Sequence, residues 1–363
     1  MITFLEYLEN EKDTFVLTEG GNVIIKGKSA QAIDVEKLDR TAVSAAIMKG
    51  LINLNATFKK ETGLNIWFPH TLKAGKVFSG SAKHFFDASI PTETFIKHKK
   101  TVGDIDLMVD ENLKVKVRDF LNHPSTKDFG TLEFIGHKDA GDQNITLCHL
   151  KEFNINIQLD LEFVTFNGSE PSEWSKFSHS SSWDDMKQGI KGAFHKLLMT
   201  SLMGHKRADS ILQMKTKQKE ITASIHALSI KGLRKKFEKI GMQDGKPVIQ
   251  ETKSKNFITN FHEIFKEVFD IEVTEPDIEL FWSFDGILKL MKKHMTEKQI
   301  KIILAAFIER LFGESAQGLY RDEPNKDLTE KMVAVNYAQD KLGVKYPLAK
   351  LKKLQKEFYS NYK

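Results

Sequence analysis

"VGDIDLMV" (102–109) carries two aspartates, Asp104 and Asp106, set two residues apart among apolar neighbours. On a strand, residues i and i+2 point to one face, so both carboxylates project together. Ile105, Leu107 and Val109 then fill the opposite face and anchor the strand in a core. Two carboxylates held side by side repel one another unless a cation lies between them. Carboxylate oxygens suit Mg2+ or Mn2+, which prefer oxygen donors. A calcium loop does not fit, because Met108 and Val109 stand where further ligands and a glycine belong.

A third carboxylate is available in "IQLDLEF" (157–163). Ile155, Ile157, Leu159, Leu161 and Phe163 alternate with Asn154, Asn156, Gln158, Asp160 and Glu162. That alternation predicts a strand with Asp160 on its polar face and Glu162 two residues on, facing the same way. A third carboxylate on a neighbouring strand allows two metals, which clamp the attacking and leaving oxygens of a phosphoryl-type displacement. Upstream, "VFSGSAKHFF" (77–86) sets Gly80 and Ser81 between an apolar stretch and a helix-like run. A glycine there lets the backbone approach a ligand, and the N–H groups that open a helix favour a phosphate. Ser81 adds a hydroxyl donor, and Lys83 and His84 follow within reach of the same anion.

An apolar-Gly-Ser turn, a D-x-D strand and a later strand with an acidic residue together resemble the polymerase-β-like nucleotidyltransferase superfamily. The matching stretches are "FSGS", "GDIDLMV" and "IQLDLEF", within roughly residues 75–200. The resemblance implies an α/β (α+β) fold, with a small mixed sheet flanked by helices. It also implies Mg2+- or Mn2+-dependent use of a nucleoside triphosphate, with transfer of its nucleotidyl group and release of pyrophosphate. Gly80 and Ser81 match the phosphate turn, Asp104 and Asp106 the metal pair, and Asp160 the third carboxylate, which helps to activate the attacking hydroxyl. Similar enzymes bring basic residues from the next helical segment to the triphosphate. Lys187 and Lys191 fill that role if residues 182–205 form one helix, where their i, i+4 spacing gives them one face. One departure is plain: 22 residues separate Ser81 from Asp104, more than the family's usual short connection. The extra stretch, "DASIPTETFIKHKKTVG" (87–103), is either an inserted loop over the site or a sign that the phosphate turn lies elsewhere; the match at Asp104 and Asp106 favours the insertion.

Composition is consistent with this reading and excludes others. The chain has 363 residues, 40% hydrophobic and 28% charged, with a formal net charge of +5. That describes a globular protein of two or three domains, basic enough to suit a polyanion. A single cysteine, Cys148, rules out an internal disulfide and any zinc site built on cysteine pairs. The acidic start "MITFLEYLENEKDTF" lacks the basic and apolar regions of a signal peptide, and no apolar run reaches membrane-spanning length, so the expected location is the cytoplasm. No P-loop, kinase or ligase signature is present, which disfavours other phosphoryl enzymes.

The expected organisation has four parts. Residues 1–65 form an N-terminal extension of helix and strand, including a helix over 38–63. Residues 66–205 form the nucleotidyltransferase core, and 206–256 a basic connecting region. Residues 257–363 form a helical C-terminal domain, with a capping box at Thr296 and Gln299. The basic runs "KGLRKKFEK" (231–239) and "KYPLAKLKKLQKEF" (345–358) read either as nucleic-acid contacts or as solvated faces. Two functions follow. The first is a nucleotidyltransferase whose acceptor is an RNA 3′ hydroxyl, a small-molecule hydroxyl or a protein side chain. The second is a non-catalytic module of the same fold that binds nucleotide or nucleic acid. His195, beside an apolar stripe, reads as a packed histidine rather than a ligand.

Overall fold

The computed structural model of the chain describes residues 23–123, 128–204, 221–229, 232–243, 246–313 and 324–360. "TFLEYLEN" (3–10), which reads as a short helix, and the turn residues Gly20-Gly21-Asn22 lie outside them. The fold is α+β, with a mixed sheet followed by a mainly helical C-terminal part. It divides into two compact units, one over Gly20–Trp183 and one holding Asp184–Lys363. The first unit therefore takes in the expected N-terminal extension and stops short of residue 205. No helix among the described residues is long and apolar enough to cross a membrane.

The first unit opens with the short strands β1 (Ile24–Ile25), β2 (Lys28–Ser29) and β3 (Ile33–Asp34). Helix α1 (Arg40–Thr62) follows. Asp39 caps it by accepting the N–H groups of Thr41 and Ala42 at 2.8 and 3.3 Å. Its apolar residues Val43, Ile47, Leu51, Leu54 and Phe58 recur at helical spacing and are fully buried. Next come α2 (Pro69–Lys73), α3 (Gly80–Phe85), α4 (Thr92–His98), β4 (Thr101–Val102), β5 (Asp104–Asp110) and α5 (Lys114–Asn122). The strands β6 (Asp128–Phe129), β7 (Leu132–Ala140), β8 (Gln143–Leu150) and β9 (Ile155–Val164) complete the main sheet. Its order is β5-β9-β8-β7-β6. β5 and β9 run parallel, and the other neighbours are antiparallel. Ile105, Leu107 and Val109 of β5 and Ile157, Leu159, Leu161 and Phe163 of β9 join the buried face of α1 in one core, as the alternation in the sequence predicts. The unit ends with β10 (Phe166–Asn167), β11 (Glu170–Pro171) and α6 (Glu173–Ser178).

Arg40, the first residue of α1, is 4% exposed. Its guanidinium donates to the carbonyls of His84, Phe85, Asp87 and Ile90 at 2.5–2.9 Å and lies over the Phe95 ring. One buried cation thus ties down the chain just beyond α3, the start of the stretch that lengthens the connection to Asp104. A guanidinium can serve several carbonyls at once because all its N–H groups are donors in a rigid plane.

The second unit begins within α7 (Trp183–Lys187) and continues through α8 (Gly192–Met203). The single helix expected over 182–205 is two helices. Gly189 takes a left-handed φ of +74°, which a continuing α-helix does not accommodate. The region expected to be a basic connector contains a three-stranded antiparallel sheet, β12 (Ile221–Ser229), β13 (Gly232–Gln243) and β14 (Lys246–Ile258). Helices α9 (Phe261–Phe269), α10 (Glu275–Leu280), α11 (Phe284–His294), α12 (Glu297–Phe312), α13 (Pro324–Leu342) and α14 (Leu348–Ser360) follow. The capping box at Thr296 and Gln299 opens α12, whose Ile300, Leu304, Phe307 and Leu311 are buried. His195 is packed as expected, with Nε2 3.2 Å from the Phe281 carbonyl. Asp185 accepts the N–H groups of Phe284 and Asp285 at 2.7 and 3.3 Å, at the start of α11.

Two predictions follow from these buried groups. Arg40→Met should lower stability by about 3 kcal/mol or more in urea unfolding, because it strips a charged donor from buried carbonyls. A loss below about 1 kcal/mol would show that the carbonyls find other partners. The second concerns pH. Burial pushes His195 down to about 4 and Asp185 up to about 6. As pH falls from about 6.5 to 4, the unfolded chain protonates at His195 before the folded one, which costs about 3 kcal/mol. Over nearly the same window the folded chain protonates first at Asp185, which contributes a similar amount with opposite sign. Relative to wild type, His195→Gln should therefore gain stability on acidification through this window and Asp185→Asn should lose it. Urea unfolding at a series of pH values checks both slopes.

Candidate metal centre

Parallel pairing places Asp106 opposite Asp160 and Asp104 opposite Gln158. With alternate residues on alternate faces, the polar face of this strand pair presents Asp104, Asp106, Gln158, Asp160 and Glu162. One oxygen from each of the Asp104, Asp106 and Asp160 carboxylates lies within 4.8 Å of the others. Asp104 and Asp106 are partly exposed, whereas Asp160 is 2% exposed. Burial pushes the Asp160 carboxyl well above the usual carboxylate range, and the charges of Asp104 and Glu162 push the same way. Gln158 opposes the shift. Its amide NH2 donates to both Asp160 oxygens at 2.9 and 3.0 Å, while its own oxygen accepts the Val23 N–H at 3.4 Å. A buried carboxylate facing two more is an unfavourable charge arrangement that a divalent cation would relieve. The donors are all oxygen, which fits Mg2+ or Mn2+ rather than zinc.

The Gly80–Ser81 turn lies beside this cluster. Residues 77–79 run antiparallel along β5: the Met108 N–H donates to the Val77 carbonyl at 2.8 Å and the Ser79 N–H to the Asp106 carbonyl at 3.2 Å. Gly80 has φ +52°, and a Cβ at this position would overlap Asp106 Oδ2. Only glycine lets the turn pass this close to the carboxylate. The long connection back to Asp104 folds into the Arg40-bound stretch, α4 and β4, and the turn stays at the aspartates. One expectation changes in detail. The Gly80 N–H donates to the His179 carbonyl at 3.1 Å, so this N–H is engaged within the protein.

The basic residues fare differently. Lys83 is exposed on α3. His84 is buried with Nε2 2.8 Å from the Ser181 carbonyl, and burial lowers its proton affinity, which makes it a packing residue. Lys187 and Lys191 both belong to the second unit. The break at Gly189 puts Lys187 at the end of α7 and Lys191 at the cap of α8, so they do not share a helix face. Lys187 pairs with Asp184 at 2.5 Å and Lys191 with Glu330 at 2.6 Å.

Three residues at the centre escaped the sequence reading: Ser79, Gln158 as a partner of Asp160, and His179. Ser79 lies within "VFSGSAKHFF" (77–86), and no local pattern marks its side chain. His179, in the serine-rich "FSHSSS" (177–182), carries no local signal for its contacts with Glu162 of β9 and Gly80 of the turn. Comparison with protein-family models, curated proteins and solved structures finds no match for this chain.

The Gly80 geometry yields a direct expectation. Gly80→Ala should cost about 1–2 kcal/mol in stability from the left-handed backbone alone. By displacing Asp106 it should also weaken Mn2+ binding about tenfold or more, measured by calorimetric titration. Unchanged Mn2+ affinity would separate the turn from the carboxylates.

Proposed function

We propose that this chain is a Mg2+- or Mn2+-dependent nucleotidyltransferase, moving a nucleoside monophosphate from a nucleoside triphosphate to an acceptor hydroxyl. The observation that carries the reading is the convergence of Asp104, Asp106 and the buried Asp160 from two parallel strands onto one point. Asp104, Asp106 and Asp160 would hold the metal. A divalent cation bound there would offset the negative charge of the triphosphate and ease loss of the proton from an adjacent hydroxyl.

The chain's own residues account for the rest. Ser81, at the turn beside Asp106, offers its hydroxyl to a phosphate oxygen. The acceptor oxygen forms a bond to the α-phosphorus, and the bond from that phosphorus to the bridging oxygen breaks, so pyrophosphate leaves. The acceptor's proton passes to the Asp160 carboxylate, the most buried of the three and the one that the Gln158 amide orients. Gln158 holds that carboxylate in one orientation throughout. The net charge of +5 favours RNA as the acceptor to test first.

The test is incubation with each α-32P-labelled nucleoside triphosphate and Mg2+, with total RNA as acceptor, beside the Asp104→Ala/Asp106→Ala double variant. Label should pass to RNA, and the variant should lose about a thousandfold or more of the rate. Metal-dependent triphosphate binding without transfer to RNA, protein or small molecules would mark a non-catalytic binding module instead. No Mn2+ binding by the wild type would overturn the reading.

A further inference from the structure

We propose that Glu162 is not a metal ligand but a positioning residue that braces the Gly80–Ser81 turn against β9. This rests on the reading of Asp104, Asp106 and Asp160 as the ligands. Glu162 shares a face with Asp160, so side-chain type and strand position alone make it an equal candidate for the metal. Its contacts decide otherwise. Oε2 accepts the Ser79 hydroxyl at 2.8 Å and lies 3.7 Å from His179 Nε2.

Both partners are tied to the turn. Ser79 is the N-cap residue of α3, a position whose hydroxyl ordinarily accepts an N–H from the first turn of its own helix. It makes no such bond; its hydroxyl reaches across to β9 instead. The Ser79 N–H is bonded to the Asp106 carbonyl. His179 holds the next residue, because its carbonyl accepts the Gly80 N–H. The His179 ring is itself anchored, with Nδ1 3.0 Å from the Ser175 carbonyl and 2.9 Å from Ser178 Oγ. A carbonyl oxygen only accepts, so Nδ1 carries a proton and the ring's orientation is set.

Ser79 and His179 are 3% and 6% exposed, so these bonds are shielded from water, where they contribute more to rigidity. The turn is therefore fastened at three points: to β5 through the Ser79 backbone, to β9 through the Ser79 side chain, and to His179 through Gly80. Glu162 is the member of this set that links β9, the strand carrying Asp160, to the residues that would hold phosphate. The brace fixes the distance between the two halves of the site and engages Glu162 Oε2, while the carboxylates that converge are those of Asp104, Asp106 and Asp160.

The experiment compares Ser79→Ala, Glu162→Ala and Glu162→Gln with wild type in three measurements. These are amide hydrogen exchange of residues 77–86, Mn2+ affinity with the metal alone, and the steady-state kinetics of nucleotidyl transfer. Losing the brace should speed exchange of this segment about tenfold in Ser79→Ala and Glu162→Ala, the equivalent of one ordinary hydrogen bond. The KM for triphosphate should rise about tenfold with kcat little changed, while Mn2+ affinity stays within about threefold. Glu162→Gln keeps an oxygen for the Ser79 hydroxyl and should restore both exchange and KM. Unchanged exchange in Ser79→Ala and Glu162→Ala would overturn the proposal, and so would Mn2+ binding weakened about tenfold or more in Glu162→Ala. Should Glu162→Ala fail to fold, Ser79→Ala carries the exchange and KM comparison. Should the wild type bind no Mn2+ and transfer no label, the nucleotidyltransferase reading falls by itself. The exchange measurements, which need neither metal nor substrate, still decide the brace.

Discussion

The parallel pairing of β5 with β9 is the constraint on which the candidate centre depends. Parallel neighbours cannot be joined by a tight turn and need a long crossover. Here α5 and the strands β6, β7 and β8 fill that connection and become the rest of the sheet. The register admits no slip. A shift of one residue would carry Asp106 and Asp160 into the core and turn Ile105, Leu107, Leu159 and Leu161 toward water. Burial of those side chains, each contributing about 1.5–3 kcal/mol, holds the carboxylates on the opposite face.

That arrangement gathers three carboxyl groups at one point of the fold. Asp160 is buried beside Asp104 and Glu162, and its only described relief is the amide of Gln158. A sequence selected for stability alone would place an apolar or neutral residue there. Local conflict of this kind, in a chain whose capping, patterning and core otherwise agree with the fold, is characteristic of functional sites. Gly80 belongs to the same pattern: a left-handed backbone that glycine adopts freely is kept where any side chain would strike Asp106.

The second unit uses its charges differently. Lys187 and Lys191 are engaged with acidic partners of that unit, and Asp185 serves as a cap for α11. His195 is held neutral in its core. These are the duties of structural residues, each engaged within its own unit. Lys187 pairs within its own short helix, whereas the partner of Lys191 is far away in the sequence.

Strand and helix periodicity in the sequence sufficed for much of this protein. The i, i+2 spacing of Asp104 and Asp106, the alternation through 155–163, the helix ending at Gly63 and the capping box at Thr296 are local patterns, and local sterics and hydrogen bonding read them directly. They identified the three carboxylates and the Gly80 turn as one candidate site. Only the tertiary structure could show that Gly189 breaks the helix between Lys187 and Lys191. Only it could show that Gln158 steadies Asp160, that Arg40 fastens the long connection, and that Ser79 and His179 engage Glu162. The grip of Arg40 and the engagement of Glu162 by Ser79 and His179 are contacts between distant parts of the chain, made by polar groups whose partners are chosen by packing. No period or spacing encodes such a partner, because hydrogen bonds of this kind exist only after the hydrophobic core has brought the strands and the turn together.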